Sequence, residues 1–128
     1  MKPTTSIDEL ILSRDETDPL VVRVDLSGRS ISRDPSRALL PYFTELIDGA
    51  ARGNVALELH FEKLEYFNSS TISAVIQVIN YAQRQKVALT LVHDRAKRWQ
   101  GMSFDALKRA LKPFDVASGG QITFQVAG

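Results

Sequence analysis

The 128-residue chain contains no cysteine. Disulfides, thiolate metal sites and cysteine nucleophiles are excluded together, and the chain is indifferent to its redox compartment. Histidine is scarce, with only His60 and His93. Neither stands at a recognised metal-ligand spacing from nearby carboxylates, so no metal and no cofactor are expected. An excess of one charge is also missing: 16 basic residues against 15 acidic ones leave +1. That balance argues against recruitment to nucleic acid or to an anionic membrane through bulk charge, so partners must be recognised locally. No apolar run approaches a membrane span, and the opening Met1-Lys2-Pro3-Thr4-Thr5-Ser6-Ile7-Asp8 has no apolar signal region. A cytoplasmic protein is the expectation. There is no internal repeat or low-complexity run, and the longest glycine-rich feature is the pair Gly119-Gly120.

What is present is an ordinary globular composition, 44% hydrophobic and 24% charged, consistent with one domain over residues 1–128 that is a monomer or weak dimer. Residues 7–12 and 20–26 read as two strands joined by a charged turn, the second ending at Ser27-Gly28. Asp34-Pro35 offers an N-cap followed by a first-turn proline. Leu39, Leu40, Phe43, Leu46, Ile47 and Ala50 then predict a helix over about 35–52, stopped at Gly53-Asn54, with Pro41 either kinking it or delaying its start. Residues 55–61 alternate as a strand with one buried side. After a short connection, Ile72, Val75, Ile76, Ile79 and Ala82 mark a second amphipathic helix. Residues 87–92 form a nearly continuous apolar strand. Ser103 introduces a short helix over 104–112 stopped by Pro113, with Lys108, Arg109 and Lys112 complementing its C-terminal dipole. Residues 121–126 close as an alternating strand. The order β-β-α-β-α-β-α-β predicts a single-domain α/β sandwich, with helices packed on a mixed or mostly parallel sheet of four to five strands.

The most informative segment is the strand-to-helix junction Tyr66-Phe67-Asn68-Ser69-Ser70-Thr71. Any of its four small polar residues could cap the following helix, a role worth roughly 1 kcal/mol over alanine. The same place suits a phosphate, because the helix dipole and free amide N–H groups favour negative charge there. Phosphorylation adds about −1.5 to −2 charges at one atom. Against a partner packed over the helix end, such a charge acts as a switch.

The strand over 55–61, the segment Leu64-Glu65-Tyr66-Phe67-Asn68-Ser69-Ser70-Thr71, the helix bearing Ile72, Val75, Ile76 and Ile79, and the strand over 87–92 together resemble the core of the STAS-domain family. That family comprises bacterial anti-sigma-factor antagonists and related partner-switching proteins. Its junction typically carries an aspartate, an acceptor Ser or Thr, a second Ser or Thr and a glycine, matched here by Asn68, Ser69, Ser70 and Thr71. The resemblance implies Ser69 as phosphoacceptor, with Ser70 as the fallback. Asn68 stands in place of the acidic residue and Thr71 in place of glycine, a form more similar to a subgroup that, when dephosphorylated, activates a diguanylate cyclase in biofilm control. The resemblance also implies a histidine-kinase-like ATPase acting as serine kinase or anti-sigma factor, and an opposing phosphatase. The expected protein is a regulator and not an enzyme. It would dock through Tyr66, Phe67, Asn68, Ser69, Ser70 and Thr71, with Arg95 and Trp99 of the basic run Asp94-Arg95-Ala96-Lys97-Arg98-Trp99 contributing to the partner surface.

Three other readings stand beside this one. A constitutive STAS-like scaffold or small-ligand-binding module would keep the fold without the switch. A hydrolase would need His93, with Asp94, brought against Ser69, but there is no G-x-S-x-G elbow. Both histidines lie on or at the end of strand patterns, where a hydrogen-bonded structural role is expected. The basic run is too short, in a neutral chain, to predict nucleic-acid binding. Its simplest alternative is a solvated loop whose tryptophan tucks onto the core.

Overall fold

Glycine at position 28 shapes the sheet more than any other single residue. In the computed structural model, which describes residues 4–118 and 122–127, Gly28 has φ 79, and a Cβ built there would lie 2.1 Å from the carbonyl oxygen of Glu9. A side chain is excluded both by that close approach and by the left-handed backbone. The sequence pattern Ser27-Gly28 therefore marks a bulge, not a strand end. Strand β3 (Val21–Ser30) runs through it, pairing in parallel with β4 (Ala56–His60) before the glycine and with β5 (Leu64–Phe67) at and after it.

The remaining strands are β1 (Thr4–Ile7), β2 (Leu10–Asp15), β6 (Leu89–Asp94) and β7 (Ile122–Ala127), and the helices are α1 (Ser36–Gly53), α2 (Ser69–Arg84) and α3 (Arg98–Ser118). The sheet has seven strands in the order β1-β2-β3-β4-β6-β7, with β5 beside β3. Pairings β1/β2 and β2/β3 are antiparallel and the others parallel. The α/β class, the mixed sheet and the three helices agree with the sequence pattern, whereas the count of four to five strands is corrected to seven. Two strands account for the difference. The apolar stretch 7–12 is split by a two-residue turn, with Asp8 at φ 54, and β5 lies where the sequence predicts only a connection, because its pattern runs buried, exposed, exposed, buried instead of alternating. The charged residues 13–15, read as a turn, complete β2.

The parallel register places Val22, Val24, Leu57, Leu59, Leu89, Leu91 and Ile122 on one face. All three helices pack there. Leu39, Phe43 and Ile47 of α1, Ala74, Val75, Val78 and Ile79 of α2, and Phe104 and Leu107 of α3 join Val24, Leu57, Leu59, Leu89 and Leu91 in one buried cluster, with the half-buried Val22 and Ile122 packed against it. The second face is polar: Arg23 forks onto Asp25, and His60 lies between Glu58 and Glu62, with ring nitrogens 2.9 and 3.0 Å from their oxygens.

Helix ends depart from the sequence reading in identifiable ways. The start of α1 is built without a side-chain cap; the Arg37 N–H donates to the Asp34 carbonyl and the Leu39 N–H to that of Pro35. Pro41 lies within α1 on its exposed side, where the carbonyl it leaves unpaired can turn to water. The stop at Asn54 is as expected, with φ 55. Helix α3 begins five residues before Ser103 and continues past Pro113 to Ser118. Lys108 and Arg109 are consequently mid-helix and do not complement its C-terminus. The pair Gly119-Gly120 and Gln121 lie outside the described residues, as do the side chains over 111–118.

Candidate functional site

Because β3 continues past its bulge, Ser30 lies opposite Phe67, the last residue of β5. The next residue, Asn68, leaves the strand with φ −89 and ψ 175 and becomes the N-cap of α2. Its Oδ1 accepts hydrogen bonds from the Thr71 amide at 2.9 Å and the Thr71 hydroxyl at 2.7 Å. Its Nδ2 donates to the Ser32 carbonyl at 2.9 Å, and its own amide donates to the Ser30 carbonyl at 3.1 Å. Since the Thr71 hydroxyl gives its proton to Asn68, the Ser30 hydroxyl, 2.7 Å from Thr71 Oγ1, is the donor in that pair. An aspartate at position 68 could cap but could not donate to Ser32, and its second oxygen would face a carbonyl. The amide side chain is thus specific to this junction, and so is Thr71, whose hydroxyl ties the helix start to β3.

The four small polar residues therefore divide by role. Thr71 is 2% exposed and fully engaged, which removes it, like the buried Phe67, from any contact surface. Ser69 is exposed and Ser70 half-buried. Neither hydroxyl has a hydrogen-bond partner among the described residues. The amides of Ser69 and Ser70 belong to the first turn, which has no intrahelical acceptor for them, and no acidic side chain occupies that turn. Electrostatically this is a helix start still open to an anion.

Trp99 of α3 is set against this junction. Its ring meets Phe67 edge-on at 5.2 Å and lies 6.1 Å from Tyr66, which is 45% exposed. Tyr66, Phe67 and Trp99, singled out separately in the sequence, are thus one aromatic cluster, and the tryptophan belongs to a helix, not a loop. Arg95 is held by Asp105, with both guanidinium nitrogens 3.3 Å from its carboxylate.

Sequence reasoning missed the groups that hold this arrangement together. Past His60, β4 gives way to a turn over 61–63 before the chain resumes as β5. There Gln100 of α3 and Lys97, just before the helix, take over from strand pairing. Buried Gln100 donates from Nε2 to the carbonyls of Phe61 at 2.7 Å and Leu64 at 3.0 Å and accepts from the Asp94 amide at 2.8 Å. The Lys97 ammonium donates to the carbonyls of Glu62 and Leu64. Gln100, Phe104 and Leu107 share one face at i, i+4 and i+7 and are all 0% exposed, a periodicity that could have extended the helix backwards. Nothing in the sequence signals Ser30 and Ser32, whose partners are some forty residues away.

His93 is 0% exposed and stacks on Phe104 at 4.5 Å with the rings nearly parallel. Neither ring nitrogen has a hydrogen-bond partner among the described residues. The hydrogen-bonded role expected of both histidines is therefore met by His60 and not by His93, and the Ser69–His93 pairing required for a hydrolase is not formed. Burial lowers the His93 pKa, with the nearby Lys108 and Arg95 charges acting in the same direction. Among the described residues no helix is long and apolar enough to cross a membrane.

No protein-family model and no curated protein matches the sequence. Solved structures do match the fold. The apo form of SiaC from Pseudomonas aeruginosa superposes with a TM-score of 0.60 at 14% identity, covering 100% of this chain and 99% of that one. A second SiaC structure from the same organism gives 0.54 at 16% identity, covering 100% and 97%. The crystal structure of the P. aeruginosa diguanylate cyclase SiaD in complex with its activator SiaC gives 0.53 at 16% identity, covering 98% and 99%. At these identities the likeness is one of fold.

Proposed function

We propose that this chain is a phosphorylation-controlled, partner-switching regulator of STAS-like type, which docks a protein partner through the Ser69 helix end when Ser69 is unmodified and releases it when Ser69 is phosphorylated. The observation that carries this reading is the division of labour at the junction. Asn68 does the capping, and the adjacent Ser69 hydroxyl is left exposed and unbonded at an anion-favouring helix start. Support for a diguanylate cyclase as partner, ahead of an anti-sigma factor, comes from the fold shared with SiaC, described as the activator of SiaD. An ATPase-type serine kinase and a phosphatase would set the phosphorylation state. In this reading the chemistry is done to the protein and not by it. The enclosed apolar cavity beneath Ser30 and Thr71 measures about 10 Å³, the space of a single water, so a small ligand held beside the junction would not sit there.

Two measurements test the proposal. Incubation with ATP and a candidate ATPase-type serine kinase, followed by mass spectrometry, should place phosphate on Ser69, or on Ser70 as the fallback; modification confined to other sites would refute it. In parallel affinity pull-downs Ser69→Ala should retain the partner and Ser69→Asp should lose it. Equal retention would remove the switch.

A further inference from the structure

The carboxyl ends of β3, β5 and β6 lead into α1, α2 and α3, so the junction, the loop after Ser30 and the start of α3 share one end of the sheet. Three large apolar side chains are exposed at this end: Ile31 at 38%, Tyr66 at 45% and Met102 at 67%. Trp99 is half-buried between α3 and Tyr66. On α3, Arg98, Trp99 and Met102 are neighbours by helical spacing. Arg98 is exposed and has no ion pair among the described residues, and the same holds for Lys63 in the turn before β5; exposed Glu65 stands against them. Among the described residues Arg95 is engaged only by Asp105, across a solvent-exposed contact that competition can displace at small cost.

We infer that this surface takes an amphipathic protein helix, with its apolar stripe over Tyr66, Trp99 and Met102 and its flanking carboxylates over Arg98 and Arg95. The inference rests on the partner-docking reading above and specifies the chemistry of the partner. A helix is favoured over an added strand because Lys97 and Gln100 already occupy the carbonyls of Glu62 and Leu64 along the approach to β5, leaving side chains rather than backbone to be read. Acidic flanks match the unpaired cation beside the apolar residues. They also explain why phosphate on Ser69 would release the partner, since it adds negative charge beside a negatively charged ligand.

The test is selection from a displayed library of amphipathic helical peptides with randomised flanking charges, carried out on the wild-type chain and on Arg98→Glu and Met102→Glu. Both substituted residues are exposed, and circular dichroism melts would verify folding. Wild type should enrich Asp and Glu in the flanks. Binding of an enriched peptide should quench or shift the emission of Trp99, the only tryptophan. Arg98→Glu should weaken that peptide on the order of tenfold and shift enrichment toward Lys and Arg. Enrichment indifferent to charge, or affinity unchanged by both substitutions, would overturn the inference. So would a wild-type dimer in sedimentation that Met102→Glu dissociates, because the face would then belong to a second copy of the chain. A Ser69→Asp arm separates the two proposals: if acidic peptides bind it as well as wild type, the docking surface stands and the phosphoswitch does not.

Discussion

Asn68 and Ser69 are adjacent, yet their substitutions should behave oppositely. Asn68 Oδ1 and Nδ2 together make three hydrogen bonds, so Asn68→Ala removes a cap and leaves the Ser32 carbonyl without its donor. The expected loss is about 1–2 kcal/mol in urea denaturation. Ser69 makes none, and Ser69→Asp places a carboxylate at the positive end of α2. It should leave stability unchanged or raise it by about 0.3–1 kcal/mol, so any loss of partner binding in that variant cannot be ascribed to unfolding. At His93 the sign follows from its lowered pKa. The folded state resists protonation that the unfolded chain accepts near pH 6.5, so the stabilising contribution is complete above that value. It is lost as pH falls from about 6.5 toward the folded value. Between about pH 7 and pH 5.5 the urea midpoint of wild type should therefore drop more than that of His93→Phe, and equal slopes would show that His93 does not titrate differently on folding.

Elements in this protein are held by residues that local pattern undervalues. Gly28 allows β3 to change partner from β4 to β5, and Gly28→Ala must relieve both a positive φ and a 2.1 Å approach to Glu9. A loss of roughly 2 kcal/mol or more is expected by thermal or urea unfolding. Gln100 stitches the interrupted β4–β5 segment to α3, and Gln100→Ala would take one buried donor from each of two carbonyls and the side-chain acceptor from the Asp94 amide. That should cost on the order of 2–4 kcal/mol, with Gln100→Glu failing to rescue because a carboxylate cannot donate to the carbonyls of Phe61 and Leu64. The amphipathic faces of α1 and α2 were legible because helical period alone identifies them. In α2, however, the buried face is Thr71, Ala74, Val75, Val78, Ile79 and Ala82, rotated so that Ile72 and Ile76 are only half-buried. The start of α3 was missed because a charged run precedes it, a glycine closes its first turn, Arg98-Trp99-Gln100-Gly101, and its buried anchor, Gln100, is a polar side chain.

At the scale of the whole molecule the sheet has a protected centre and open edges. Strands β4 and β6 are paired on both sides, whereas among the described residues β1, β5 and β7 each pair with a single strand. Amide hydrogen exchange should accordingly be slowest in β4 and β6 and faster in the edge strands, β1 among them. A β1 as protected as the centre would indicate a further strand or a second chain covering that edge. Helices confined to one face leave all three helix starts at one end of the molecule, and this is what brings residues 66–69 and 95–102 to a common surface.

Taken alone, the sequence determined the α/β class, the three helices, the parallel crossovers and the junction at Asn68-Ser69-Ser70-Thr71. Each of these depends on local spacing and composition, which act over a few residues of chain. Only the tertiary structure decided which of the four small polar residues caps, which is locked in the core and which is free. It also decided that Trp99 packs against Tyr66 and Phe67, that β5 is a strand, and that His93 is buried with no hydrogen-bond partner among the described residues. Those outcomes depend on hydrogen bonds and ring contacts across some thirty to forty residues, such as Ser30 to Thr71 and Gln100 to Phe61. Such partners are chosen by the packing of the sheet and not by any property of the segment in which they lie.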